Sequence, residues 1–380
     1  MRIPSRSDPL YGPPDMSGEI LTIVGARPNF MKAAPIHAEF ARRGVAHAII
    51  HTGQHYDDAM SKVFFDDLGM PKPAEYLGVG SGSHAAQTAQ IMIGLERVFL
   101  DRKPRLVNVV GDVNSTMAAA LVAVKLEIPV VHTEAGLRSR DWAMPEETNR
   151  VVTDVISRLL LTPSADADAN LLAEGRAAAD IVRVGNVMID TLLAHVERAR
   201  TLDVAKKLGL GGPYGVVTLH RPSNVDDPTT LERIAGALAT VADQLPLVFP
   251  VHPRTKSRLA SSPAGARLSG HPNLRLVEPM GYVEFLSLTS GAKLALTDSG
   301  GLQEETTALG IPCLTLRENT ERPVTESEGT NTIVGTDAER IIAEARRAIA
   351  GQGKQGRVPA MWDGKAAVRI VDAILAFLAR

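Results

Sequence analysis

The chain has a single cysteine, Cys313, among 380 residues, so no intrachain disulfide can form and a reducing compartment suits it. It has no apolar run long enough to span a membrane; its apolar runs are of strand length. The opening MRIPSRSDPLYGPPDMSG carries arginine, proline and glycine but no apolar core, so it does not read as a secretory signal, and residues 1–17 are expected to form a loose extension. An excess of one charge is also missing. Lys+Arg total 41 and Asp+Glu 43, a formal net charge of -2, which leaves no broad field to attract nucleic acid or an anionic membrane. Any phosphate it binds must be held by a few local groups. His51 and His55 lack clustered cysteines, so no zinc spacing is present. TDSGGLQEE (297–305) matches neither the Gly-Lys-Ser/Thr loop of phosphate-binding ATPases nor Gly-x-Gly-x-x-Gly.

What is present is a repeated alternation of kind. Apolar, β-branched runs at 19–24, 46–52, 105–111, 129–134, 158–162 and 180–185 alternate with helix-length amphipathic segments such as 84–101 and 115–126. The runs are continuous rather than alternating, as strands buried on both faces are. After a helical stretch near 188–208, Gly-Gly-Pro at 211–213 reads as a linker, and the pattern restarts at 215–220, 246–251, 274–278, 292–297 and 311–316. The expected fold is α/β: two Rossmann-like domains, at 18–205 and 206–364, facing a cleft. The segment 365–380 reads as a closing helix that packs back on the first domain.

Open parallel sheets bind ligands at the carboxyl ends of their strands, so the residues after each strand matter most. GARPNFMK (25–32) sets Arg27 and Lys32 near a helix start, where anions are favoured. Asp112 follows VNVVG directly. In VVHTEAGLRSRDWAMPEETNR (130–150), Glu134 lies at a strand end, Gly136 permits a sharp turn, and Pro145 can open a helix holding Glu146 and Glu147. A purely structural Glu134 would need a buried partner such as Arg138. Asp141, Glu147 and Asp154 keep ordinary structural readings. In the second half, His220 and His252 follow the first two strands. TDSGGLQEE (297–305) brings Ser299, Gly300 and Gly301 to a helix start, a cradle for diphosphate, with Glu304 and Glu305 one turn in, suited to ribose hydroxyls.

Taken in order, GARPNFMK, GDVNST (111–116), HTEAGLRSRDWAMPEETNR (132–150), LHRPSN (219–224), VHPRT (251–255), TDSGGLQEE and ENTERPVT (318–325) closely resemble the non-hydrolysing UDP-N-acetylglucosamine 2-epimerases. The resemblance runs from about residue 19 to the C-terminus. It implies a GT-B-like fold, a homodimer in the cytoplasm, and interconversion of UDP-GlcNAc and UDP-ManNAc for bacterial surface polysaccharides. The implied route is elimination of UDP to 2-acetamidoglucal and re-addition, with no cofactor and no metal. By motif position it implies Asp112, Glu134, Glu146 and His220 as the catalytic set. Arg27, Lys32, Arg138, Phe285, Ser299, Gly300, Gly301, Glu305 and Arg322 are the implied substrate-binding residues, with Phe285 against the uracil.

Some segments depart from the family pattern. The loop between Arg138 and Pro145 is short, Met280 stands where a polar residue is common, and HRPSN and QHYD (54–57) replace the HRRE-type and QHR-type motifs. Those last two changes speak against activation by a second UDP-GlcNAc. The short loop also suits relatives acting on other UDP-2-acetamido or 2,3-diacetamido sugars. A GT-B glycosyltransferase, a hydrolysing epimerase and a UDP-sugar sensor share parts of the pattern. The glycosyltransferase does not need the acids at 112, 134 and 146, the hydrolysing epimerase differs only by letting water in, and the acid cluster speaks against the sensor.

Overall fold

A computed structural model describes residues 18–53, 68–260 and 262–380. The expected N-terminal extension and the QHYD segment with His55 lie outside these residues. Among them, the first sheet holds β1 (Ile20–Val24), β2 (His47–His51), β3 (Glu75–Tyr76), β4 (Leu106–Val110), β5 (Val130–Thr133), β6 (Leu159–Thr162) and β7 (Ile181–Arg183). The second holds β8 (Gly215–Thr218), β9 (Leu247–Pro250), β10 (Leu274–Val277), β11 (Leu294–Thr297), β12 (Cys313–Thr315) and β13 (Asn331–Ile333). Every pairing is parallel.

The strand orders are β3-β2-β1-β4-β5-β6-β7 and β10-β9-β8-β11-β12-β13. Each runs outward in both directions from its first strand, as in a doubly wound Rossmann sheet. The order reverses between β1 and β4, and again between β8 and β11. Those are the two crevices where a ligand is expected.

Burial on both faces explains the continuous apolar runs. All five residues of ILTIV (β1) and of LVNVV (β4) are buried. Ile20 and Leu106 pack on one side with Phe40 and with Ile370, Val371 and Ile374 of the closing helix Ala366–Leu378. Leu21, Ile23, Val107 and Val109 face the other way, onto helices His84–Arg102 and Asn114–Lys125. Each fully buried aliphatic of the closing helix contributes about 1.5–3 kcal/mol, so that helix is part of the first core.

The chain divides into two compact units, one running to Val187 and including Lys365–Arg380, the other Met188–Gly364. The division falls after the first residue of helix Val187–Leu202, not after residue 205. The reason lies in packing: Ile189 clusters with Val324 and Trp362, and Leu202 with Tyr214, Val216 and Val248. β3 and β13, with two and three residues, carry no apolar run that would mark them in the sequence.

Candidate active site

In the first unit, the turn after β1 is tied to the end of β4 by Asn29. Its Oδ1 accepts from the Gly25 and Ala26 amides at 3.1 and 3.0 Å, and its Nδ2 donates to the Val110 carbonyl at 2.8 Å. One turn further along that helix, Lys32 forms an ion pair with Glu134, both side chains being almost wholly buried. The partner of Glu134 is therefore Lys32 and not Arg138. Glu134 itself has φ +76, a left-handed conformation that costs a non-glycine residue on the order of 1–3 kcal/mol. Its amide and that of Ala135 both donate to the Leu161 carbonyl, which holds the turn.

Gly111 explains how these groups fit. It has φ +71, and a Cβ there would stand 3.3 Å from Glu134 Oε2, Lys32 Nζ and Asn29 Nδ2. The next residue, Asp112, is gripped at one carboxylate oxygen by Arg150 Nε and Nη2 at 2.9 and 2.7 Å. Asn149 Nδ2 donates to the Asp112 carbonyl at 2.9 Å. Both partners sit on helix Pro145–Ile156, opened by the expected proline.

That helix also carries the adjacent acids, and they differ. Glu147 is buried and accepts from Ser139 N and Oγ at 3.0 Å each, Arg140 N at 2.8 Å and Arg150 Nη1 at 2.5 Å. Burial pushes its carboxyl up, but the Ser139 and Arg140 amides and Arg150 outweigh it and hold it below the usual range. It does more than face the helix's positive end; it anchors the loop. Glu146 is half-buried and, among the described residues, has no hydrogen bond or ion pair, which leaves its carboxylate open to a ligand. Trp142, on the same loop, is 68% exposed.

Arg138 is placed elsewhere than expected. Its buried guanidinium is spent on Asp154 at 2.7 Å, on both oxygens of Glu174 at 2.8 and 2.6 Å, and on the Leu137 carbonyl at 2.7 Å. It belongs to the scaffold of the turn, with four of its five N–H groups taken by these contacts. Arg27 opens the helix after β1, and its side chain lies outside the described atoms.

In the second unit, the buried Asp298 after β11 accepts from the amides of His220 (3.0 Å) and Arg221 (2.9 Å), from Asn224 Nδ2 (3.2 Å), and lies 3.0 Å from His220 Nδ1. Burial pushes this carboxyl up, but its contacts with His220 and Arg221 prevail and hold it down. His220 is thus oriented by an anion, with its ring partly exposed and 5.7 Å from that of His252. Ser299 caps helix Gly300–Leu309 without a side-chain capping bond, so its hydroxyl and the first amides can serve a ligand.

The two glycines of the cradle do different things. Gly300 is glycine because the Glu321 carboxylate packs there, 2.5 Å from where its Cβ would be. A Cβ at Gly301 would meet only Ser299 Oγ, at 4.0 Å, so this is the side with room for a diphosphate. Glu321 is held by Arg317 at 2.9 Å, and Arg322 pairs with Oε1 of Glu304 at 2.6 Å. Burial pushes the Glu305 carboxyl up to about 8, beside the Tyr282 hydroxyl. Phe285 is half-buried, wedged against Ala295, Leu302 and Cys313. Three contributors escaped the sequence reading: Asn29, Arg150 and Asp298. Only Asp298 had a visible signal, an acid directly before Ser-Gly-Gly.

A family model for UDP-N-acetylglucosamine 2-epimerase matches residues 38–375. The chain belongs to this family. A UDP-N-acetylglucosamine 2-epimerase homolog of Methanococcus maripaludis is 45% identical over 85% of this chain and 90% of its own. The UDP-2,3-diacetamido-2,3-dideoxy-D-glucuronate 2-epimerase of Pseudomonas aeruginosa is 40% identical over 93% and 98%. The crystal structure of the Methanocaldococcus jannaschii UDP-GlcNAc 2-epimerase, in complex with UDP-GlcNAc and UDP, matches with a TM-score of 0.88 at 41% identity, covering 94% of this chain and 99% of that one. The epimerase fold is accordingly GT-B-like, two parallel α/β units, and the enzymes of the family are isomerases. Among the described residues of this epimerase, no helix is long and apolar enough to cross a membrane, and no cluster of His, Cys, Asp or Glu is suited to a metal ion.

Proposed function

We propose that the protein interconverts UDP-GlcNAc and UDP-ManNAc without releasing the sugar. The C2 hydrogen of the sugar is weakly acidic, so a positioned carboxylate must remove it while the C1–O bond to UDP breaks, giving 2-acetamidoglucal and UDP. Protonation of C2 on the opposite face and re-addition of UDP at C1 then yield the epimer. Inversion needs acid–base groups on two faces, which Glu134 and Glu146 provide, with Asp112 supporting proton transfer.

The observation that carries this reading is Glu134 itself. It is an acid in a strained conformation after β5, paired with Lys32 of the helix after β1 and set against Gly111 after β4, the two strands between which the first sheet reverses. In the second unit, His220, Ser299, the Gly300 and Gly301 amides and Arg322 stabilise the charge that grows on the departing diphosphate. Glu305 binds the ribose and Phe285 the uracil. The protein works in the cytoplasm as a homodimer and supplies precursors of surface polysaccharide.

A second substrate is favoured by one feature. The loop carrying Trp142 is short, and a relative 40% identical acts on a UDP-2,3-diacetamido sugar. Incubation with each UDP-sugar separately, followed by NMR, tests both readings. UDP-ManNAc from UDP-GlcNAc supports the first, and turnover of the diacetamido substrate alone supports the second. Free ManNAc or an untouched panel contradicts both.

A further inference from the structure

His132 and Asp154 have no part in the roles given above, yet both are buried among the first unit's turns. His132, in β5, has no exposed surface. Its Nδ1 lies 2.6 Å from Asp154 Oδ1 and its Nε2 2.8 Å from the Gly111 carbonyl. A carbonyl can only accept. Asp154 also accepts, from the Gly136 amide at 3.1 Å and from Arg138 at 2.7 Å. The ring therefore bridges the Asp154 carboxylate and the Gly111 carbonyl, donating to the carbonyl from Nε2.

A buried polar pair is rarely a cheap way to fill a core, and apolar side chains of the same volume often serve stability as well. Its geometry indicates another use. One Asp154 oxygen holds Gly136 directly, and the other holds Gly111 through the ring. These glycines, at φ +81 and +71, bracket Glu134. Gly136 lies two residues beyond it, and Gly111 lies against its carboxylate. Asp154 also stands four residues after Arg150, which grips Asp112, on the same helix face.

We infer that His132 and Asp154 are positioning residues for Glu134, a hydrogen-bonded clamp that sets the Gly111 and Gly136 turns without touching substrate. The inference rests on the proposed acid–base role of Glu134. Two substitutions separate the two ends of the ring. In His132→Asn the amide reaches the place of Nδ1, keeping Asp154 and releasing the Gly111 carbonyl. In His132→Gln it reaches the place of Nε2 and keeps Gly111.

The expected result is a kcat about 100-fold lower in His132→Asn, with KM and UDP affinity within about twofold of wild type, and recovery of most of that loss in His132→Gln. Through-hydrogen-bond NMR coupling in the unmodified protein should link His132 Nε2 to the Gly111 carbonyl. Wild-type kcat in His132→Asn, an equal fall in both variants, or the absence of that coupling overturns the clamp. The NMR result stands even where a variant fails to fold. If the unmodified protein exchanges no C2 hydrogen of any UDP-2-acetamido sugar, the role of Glu134 fails instead, and the coupling still tests the clamp.

Discussion

Nδ1 of His220 lies 3.0 Å from the fully buried Asp298, whose carboxylate also receives the His220 and Arg221 amides. The acid fixes both the ring and the turn that carries it, leaving Nε2 as the working nitrogen. Asp298→Asn presents an amide NH2 to groups that themselves donate. Stability should fall by about 1–3 kcal/mol in urea denaturation, as for a lost buried acceptor. kcat should fall by about 10- to 100-fold through the misplaced ring. An unchanged kcat in steady-state assays would remove Asp298 from the site.

Arg150 holds Asp112 through two nitrogens and Glu147 through a third. A lysine keeps the charge but cannot reproduce that fork. Arg150→Lys should lower kcat by about 10-fold or more while KM for the UDP-sugar changes little. Steady-state kinetics checks the split, and a rise in KM alone would place Asp112 in binding rather than proton transfer.

Gly111 combines φ +71 with three polar neighbours at 3.3 Å. Gly111→Ala pays for the left-handed conformation, about 1–2 kcal/mol, and presses on the Lys32–Glu134 pair. A lower midpoint of thermal unfolding and lost turnover are expected together. A fully active, equally stable variant would show that the pair has slack.

Glu305 provides a pH test. Its carboxyl is raised by burial to about 8 from an ordinary value of 4.5, so between those two values the folded chain keeps a proton that the unfolded chain has released. Stability from this group is present at low pH and is lost as pH rises through that window. Glu305→Gln cannot ionise. It should match the unmodified protein at pH 5 in chemical denaturation and exceed it at pH 8, while UDP affinity falls. Equal stability at both values would contradict the buried neutral acid.

The strands of both sheets were legible wherever burial on two faces left a continuous run, as in ILTIV and LVNVV. Glu75–Tyr76 and Asn331–Ile333 were not, since neither carries an apolar run. The loops that follow the strands revealed which acids and glycines cluster. They could not reveal the partners. Lys32 and Glu134 are 102 residues apart, Arg150 and Asp112 are 38, and His220 and Asp298 are 78, and only the closed sheet brings each pair together. Arg138 shows the converse. It sits four residues after Glu134 in the sequence, yet the left-handed turn at Glu134 sends it to Asp154 and Glu174.

The central claim is that Glu134 moves the C2 proton of the sugar. UDP-GlcNAc incubated in D2O with the unmodified protein and with Glu134→Gln, followed at C2 by proton NMR, tests it directly. The account predicts deuterium at C2 in both epimers with the unmodified protein. With the variant it predicts no C2 exchange, while UDP still binds. Exchange at the unmodified rate in Glu134→Gln, or epimerisation that keeps the C2 hydrogen, would contradict it.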